Sequence, residues 1–129
     1  MRARIFVAAA IGLITCLSCF SDRDATTGPV TGGDCTIPAS AFGTNRAVVI
    51  IRNFTFASDT VRIRPGGTVT WVNCEPPNID PHSSTSQTGL WDSSFLQPGD
   101  IFARTFATAG TFQYFCVPHP SMRGVVIVQ

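Results

Sequence analysis

The chain has 129 residues, 44% of them hydrophobic, and a formal charge of +1 from nine basic and eight acidic side chains. That length allows one domain of roughly 100 residues, and the charge excludes both the basic stripe that nucleic acid requires and an acidic docking arm. Every basic residue is Arg; from Phe20 onward seven of them face eight acids, a net charge of −1.

Residues 1–19 read as an export signal. Arg2 and Arg4 precede an apolar run from Ile5 to Leu17, shorter than the roughly 20 residues a membrane span needs. An uncleaved N-terminal anchor is the competing reading. Cys19 follows Ser18, similar to bacterial lipoprotein signals, in which a small residue precedes the Cys that is acylated; Cys16, after Leu13-Ile14-Thr15, is the alternative acceptor. Acylation at either would anchor the chain to a membrane without spanning it. The expected location is therefore outside the cytoplasm, in a periplasm or at a cell surface, with a lipid anchor as one form of it.

Residues 20–45 are small and polar, as in Asp24-Ala25-Thr26-Thr27-Gly28-Pro29, and read as a flexible linker and N-terminal extension. The part from Cys35 to Asn45 is open to two readings, loop or an extra piece pinned by a disulfide. From Arg46 the texture changes to short strands between turn signals. Ala47–Ile51 is a continuous β-branched run, the pattern of a strand buried on both faces. Asn53–Phe56 reads as a continuation or a bend. Thr60–Arg64 alternates, with Val61 and Ile63 on one face. Pro65-Gly66-Gly67 is a turn, and Thr68–Val72 alternates again, with Val69 and Trp71 together. Residues 73–81 form a Pro-marked loop. Residues 83–86, 101–106, 111–115 and 124–128 complete the set, with an irregular stretch at 87–100. Seven or eight strands and no helix predict an antiparallel all-β sandwich or barrel, occupying residues 46–129.

Five cysteines are distributed unevenly. Two lie in the signal. Cys35 and Cys74 are an even pair in an exported chain, which predicts a disulfide. Cys116 opens the segment Cys116-Val117-Pro118-His119-Pro120-Ser121-Met122, which sets a thiol, an imidazole and a thioether three residues apart. Pro118 and Pro120 stiffen the backbone on both sides of His119. His82, the one other histidine, stands upstream in Pro81-His82-Ser83. Two His, one Cys and a weak axial Met are the donors of a mononuclear blue-copper site. Each alone has a plainer reading: a lone buried Cys is a small hydrophobe, a lone Met is core, and a lone His between prolines is surface loop. Zinc also takes Cys and His, but its structural sites seldom use Met, which would leave Met122 unexplained.

Several stretches carry a resemblance: Asn53-Phe54-Thr55-Phe56, the run from Pro65 to Asn73, Pro81-His82-Ser83, Leu96-Gln97-Pro98-Gly99, and Gly110-Thr111-Phe112-Gln113-Tyr114-Phe115-Cys116. With Cys-x-x-His-x-x-Met, residues 46–129 resemble a plastocyanin-like cupredoxin, with a ligand loop most similar to the amicyanin and pseudoazurin type. The resemblance implies a Greek-key β-sandwich and one type 1 copper ion, with His82, Cys116 and His119 equatorial and Met122 axial. Several members of the family have Asn directly after the upstream His. Here Ser83 stands there, its hydroxyl expected to donate to a backbone carbonyl or toward the thiolate. The family also implies an electron port at the downstream His, ringed here by Pro118, Pro120, Leu90 and Trp91, with weak, transient docking to redox partners.

An electron carrier without catalytic activity is the leading expectation. A multicopper oxidase would need more histidines than His82 and His119. A copper-handling protein and a metal-free structural sandwich are the alternatives.

Overall fold

A computed structural model describes residues 30–31 and 35–129. The export-signal reading of residues 1–19, with Cys16 and Cys19, lies outside the described residues.

The strands follow the texture of the sequence. They are β1 (Val30–Thr31), β2 (Thr36–Ile37), β3 (Arg46–Arg52), β4 (Thr55–Ala57), β5 (Thr60–Ile63), β6 (Gly67–Asn73), β7 (Thr85–Ser86), β8 (Ile101–Phe106), β9 (Gly110–Phe115) and β10 (Arg123–Val128). Two four-stranded sheets, ordered β4-β3-β6-β8 and β5-β10-β9-β7, form a β-sandwich. The expected all-β class is observed, with eight strands from Arg46 onward among the described residues. The pairing is not purely antiparallel: β3 runs parallel to β6 and β5 parallel to β10. Crossing between the sheets produces this: the chain leaves the first sheet after β4, passes through β5 in the second and returns as β6 beside β3, running the same way.

Alternation decides what fills the core. Val49 and Ile51 of β3, Val69 and Trp71 of β6, Tyr114 of β9 and Val126 of β10 are all essentially inaccessible. Trp71 is the hub, with ring centroids 5.4 Å from Tyr114, 5.6 Å from Phe102 and 6.1 Å from Trp91.

The opposite face of β3 and β6 has its own cover. Cys35, Ile37 and Ala41 pack on Val72 and Cys74, flanked by Val48 and Ile50. Both faces of β3 are therefore packed, which is why its sequence is apolar without a break. Of the two readings left open for residues 35–45, loop or a piece pinned by a disulfide, the packing is that of the second, with Cys35 disulfide-bonded to Cys74. Closing a loop with a sequence separation of 39 constrains the unfolded chain by roughly 4 kcal/mol on the chain-entropy account.

Candidate metal centre

The loop Cys116–Met122 is the connection of the β9–β10 hairpin, since Arg123 pairs with Phe115 directly beyond it. Inside it, the Cys116 N–H donates to Met122 O at 3.1 Å and the Met122 N–H to His119 O at 2.9 Å. These bonds fold the loop back on itself, so that residues three apart converge. His82 arrives from the other side. Its backbone exchanges hydrogen bonds with Leu96 at 3.1 and 2.7 Å, and Thr85 of β7 pairs with Phe115 of β9.

Three donor atoms then meet. His82 Nδ1 lies 3.6 Å from Cys116 Sγ, His119 Nδ1 lies 3.7 Å from the same sulfur, and the two nitrogens are 3.2 Å apart. A trigonal plane with bonds of about 2.0 Å to nitrogen and 2.3 Å to sulfur places its corners about 3.5–3.7 Å apart, so the triangle fits one ion. Cys116 is fully buried and the only free thiol among the described residues. Met122 is also buried, in the same core cluster as Cys116, and its backbone is tied to both Cys116 and His119. His82 is buried and His119 only half-buried, so one imidazole faces the interior and the other the surface.

The surroundings fix which atoms are presented. Glu75, only 4% exposed, sets Oε1 3.3 Å from His82 Nε2, without the alignment of a hydrogen bond. A carboxylate there favours the tautomer with the proton on Nε2, leaving Nδ1 to the metal. Burial and the neighbouring His119 hold the His82 pKa below its ordinary value, against the opposing pull of Glu75 and Asp80, so the ring is kept neutral as a ligand must be. Asn73 positions Glu75 by accepting its N–H at 3.0 Å while donating to Leu96 O at 2.9 Å. Glu75 also accepts the Phe54 N–H at 2.7 Å. Phe54, in the tight turn between β3 and β4, then stands edge-on to both imidazoles, with centroids 5.3 Å from His82 and 4.9 Å from His119.

Ser83 braces the thiolate, but not as expected. Its backbone N–H donates to Cys116 Sγ at 3.3 Å, and its hydroxyl oxygen accepts the Val117 N–H at 2.9 Å. The short side chain suffices because the two strands are already adjacent.

The expected surface ring around His119 needs correction. Pro118 and Pro120 are exposed beside it. Trp91 is only 6% exposed and donates from Nε1 to Ser84 Oγ at 3.1 Å. Leu90 is exposed, but near the tip of a hairpin whose arms join Ser84 to Ser93 and Ser86 to Trp91. That hairpin runs down β9 away from Cys116, since Gln87 reaches Gln113. Phe54, 43% exposed, and Val117, 42% exposed, are the apolar neighbours instead. Glu75 and Phe54 escaped sequence reading; the one signal for Glu75 was its place beside Cys74.

A profile described as copper binding proteins, plastocyanin/azurin family, matches residues 44–129. The chain belongs to this family. It is similar to amicyanin from Paracoccus versutus, 36% identical over 106 residues that make up 78% of this chain and 73% of that one. Plastocyanin from Scenedesmus fuscus is 38% identical over 84 residues, 57% of this chain and 86% of its own length. Among solved structures, the crystal structure of Paracoccus versutus amicyanin superposes with a TM-score of 0.58 at 34% identity, covering 81% of this chain and 94% of the other. The cofactor is one type 1 copper ion, and His82, Cys116 and His119 are a group that could hold it.

Proposed function

We propose that the protein is a one-electron carrier, with His82, Cys116 and His119 as equatorial ligands and Met122 as the axial one. The observation that carries this reading is the triangle of two imidazole nitrogens and one thiol sulfur, buried on one side and open to the surface on the other. Copper supplies the one-electron couple when bound. The chain supplies the rest: Asn73 and Glu75 orient His82, Ser83 holds Cys116, the prolines restrain His119, and Phe54 keeps water from both rings. A site that barely rearranges between two valences lowers the cost of each transfer.

Electrons enter and leave at the half-buried edge of His119, inside a small apolar patch of Phe54, Val117, Pro118 and Pro120. Docking to redox partners is weak and transient, at the small end of interface sizes. The carrier works outside the cytoplasm, exported by residues 1–19 and held at a membrane by acylation of Cys19 or Cys16. It has no catalytic activity of its own.

The test is the visible spectrum of the copper-loaded protein. An intense thiolate-to-copper band is expected, lost in Cys116→Ser, whereas Met122→Leu keeps copper and shifts the potential. A colourless loaded protein would favour a structural sandwich, and loss of copper from Met122→Leu would remove the axial assignment. Pro120→Glu is expected to slow transfer, so unchanged rates with every partner would count against the patch.

A further inference from the structure

The end of the sandwich opposite the ligand loop carries a second feature. There Arg46 begins β3 and Ile63 ends β5, and the strand ends of the two sheets leave a cleft of about 390 Å³. Arg46, Arg62 and Arg64 line it, with Thr44, Asn45 and Gln129. Three of the seven arginines that follow Phe20 therefore meet at one opening. No acidic side chain lines it, the terminal carboxylate carried by Gln129 being the one negative group on a lining residue, and among the described residues none of the three guanidinium groups has an ion-pair partner.

Like charges gathered this way repel, so the gathering needs a cause, and the local structure supplies one. Arg62 and Arg64 are alternate residues along one strand direction, exposed while Val61 and Ile63 are buried, so both point to the same side. Asn45, in the left-handed region at φ 60°, clamps the strand end. Its Oδ1 accepts the Arg64 N–H at 2.6 Å and its Nδ2 donates to Arg64 O at 3.2 Å. Gly67 makes room for the clamp: a Cβ there would stand 2.7 Å from Asn45 Oδ1 and 2.8 Å from Arg64 O. The wall that presents the arginines is thus fixed by specific bonds, which a merely solvated face does not require.

We propose that this cleft binds a phosphate-type oxyanion through the guanidinium groups of Arg46, Arg62 and Arg64. A planar guanidinium offers paired N–H donors that match phosphate oxygens two at a time, and an anion there relieves the mutual repulsion. A soluble phosphate and a phospholipid headgroup share this chemistry. The site is independent of the copper centre at the other end.

The test uses the full-length, copper-loaded, reduced protein at low ionic strength, titrated with inorganic pyrophosphate and followed by amide NMR shifts. Saturable one-to-one shifts centred on Asn45, Arg64 and Gly67 are expected. The double variant Arg62→Gln/Arg64→Gln should weaken binding roughly tenfold or more, the scale of losing charge-assisted hydrogen bonds. Arg62→Lys/Arg64→Lys, which keeps charge but not the fork, should also bind more weakly, and the visible spectrum of each variant, recorded after oxidation, should match that of the wild type. Shifts that never saturate, or affinity undiminished in the Gln or the Lys variant, would overturn the proposal. Sedimentation with phosphatidylglycerol vesicles, against phosphatidylcholine, identifies the source. An excess of binding to phosphatidylglycerol over phosphatidylcholine that is lost in the Gln variant assigns a lipid headgroup, and pyrophosphate binding with no such excess assigns a soluble phosphate. An excess of binding to phosphatidylglycerol over phosphatidylcholine that the Gln variant retains would contradict a defined cleft.

Discussion

A carboxylate buried as deeply as Glu75 must be matched by donors, and it has two within reach: the Phe54 N–H at 2.7 Å and the Nε2 edge of His82 at 3.3 Å. Glu75→Ala would strand the Phe54 N–H, at about 1–3 kcal/mol for a donor left unpaired, and would take the carboxylate away from the His82 Nε2 edge. Glu75→Gln retains an acceptor oxygen and is expected to recover most of that loss. Chemical denaturation of the three proteins checks the energies, and the absorption maximum of the copper-loaded forms reports the orientation of His82. Equal stability of wild type and Glu75→Ala would show that the carboxylate is not holding the site. The four proposed donors were legible in the sequence because three share one short loop and His82 is the only other histidine. Glu75 was not, because an acid in a Pro-rich loop has the composition of a solvated residue. Its Phe54 partner lies 21 positions away, and only the fold turns them toward each other.

The β9–β10 hairpin shows how an element carries the loop at its tip. Gly124 pairs with Tyr114, and the tyrosine ring lies where a Cβ on residue 124 would be. Gly124→Ala therefore forces the ring of a fully buried Tyr to move, and overpacking of this kind costs about 1–3 kcal/mol. A shifted urea midpoint would register it; no shift would mean that the ring can give way freely. The strands themselves were readable wherever one periodicity dominated, as in Thr60–Ile63 and in the unbroken run of β3. The turn at Asn53 and Phe54 was not. Both have positive φ, 51° and 55°, the type I′ pattern of a two-residue hairpin, but Phe is a poor signal for it because a bulky side chain rarely adopts that conformation. The Glu75 hydrogen bond and the two imidazole contacts hold it there. Similarly, the strand expected over 83–86 shrinks to Thr85–Ser86, because residues 82 and 83 are committed to Leu96 and to the Cys116 loop.

At the scale of the whole molecule, the buried site couples folding to pH. His82 is held below its ordinary pKa of 6.5 chiefly by burial. When pH falls through 6.5, the unfolded chain takes up a proton that the folded one refuses, so the metal-free protein loses stability until the lowered folded value is passed. Above 6.5 the contribution is complete. Denaturation of the metal-free protein across this window, beside His82→Asn, is the check: the wild type should fall more steeply, and parallel curves would exclude His82 as the cause. The overall sandwich was foreseeable from strand spacing, whereas the extension at residues 35–45 was only one of two readings, because its few apolar residues have no periodicity until the outer face of β3 and β6 gives them something to cover.

The crosslink between Cys35 and Cys74 has a consequence for how the chain matures. Three sulfurs, at 35, 74 and 116, allow three different single pairings, and only one leaves position 116 able to take up copper. The two shorter closures span 39 and 42 residues, a difference worth less than about 0.1 kcal/mol in loop entropy. Chain statistics therefore do not choose between the productive bond and a scrambled one joining 74 to 116. The choice falls to the order of assembly. Wherever an oxidant is present, the extension must already lie against its sheet, and the thiol that binds the metal must already be walled in, before the bond is made.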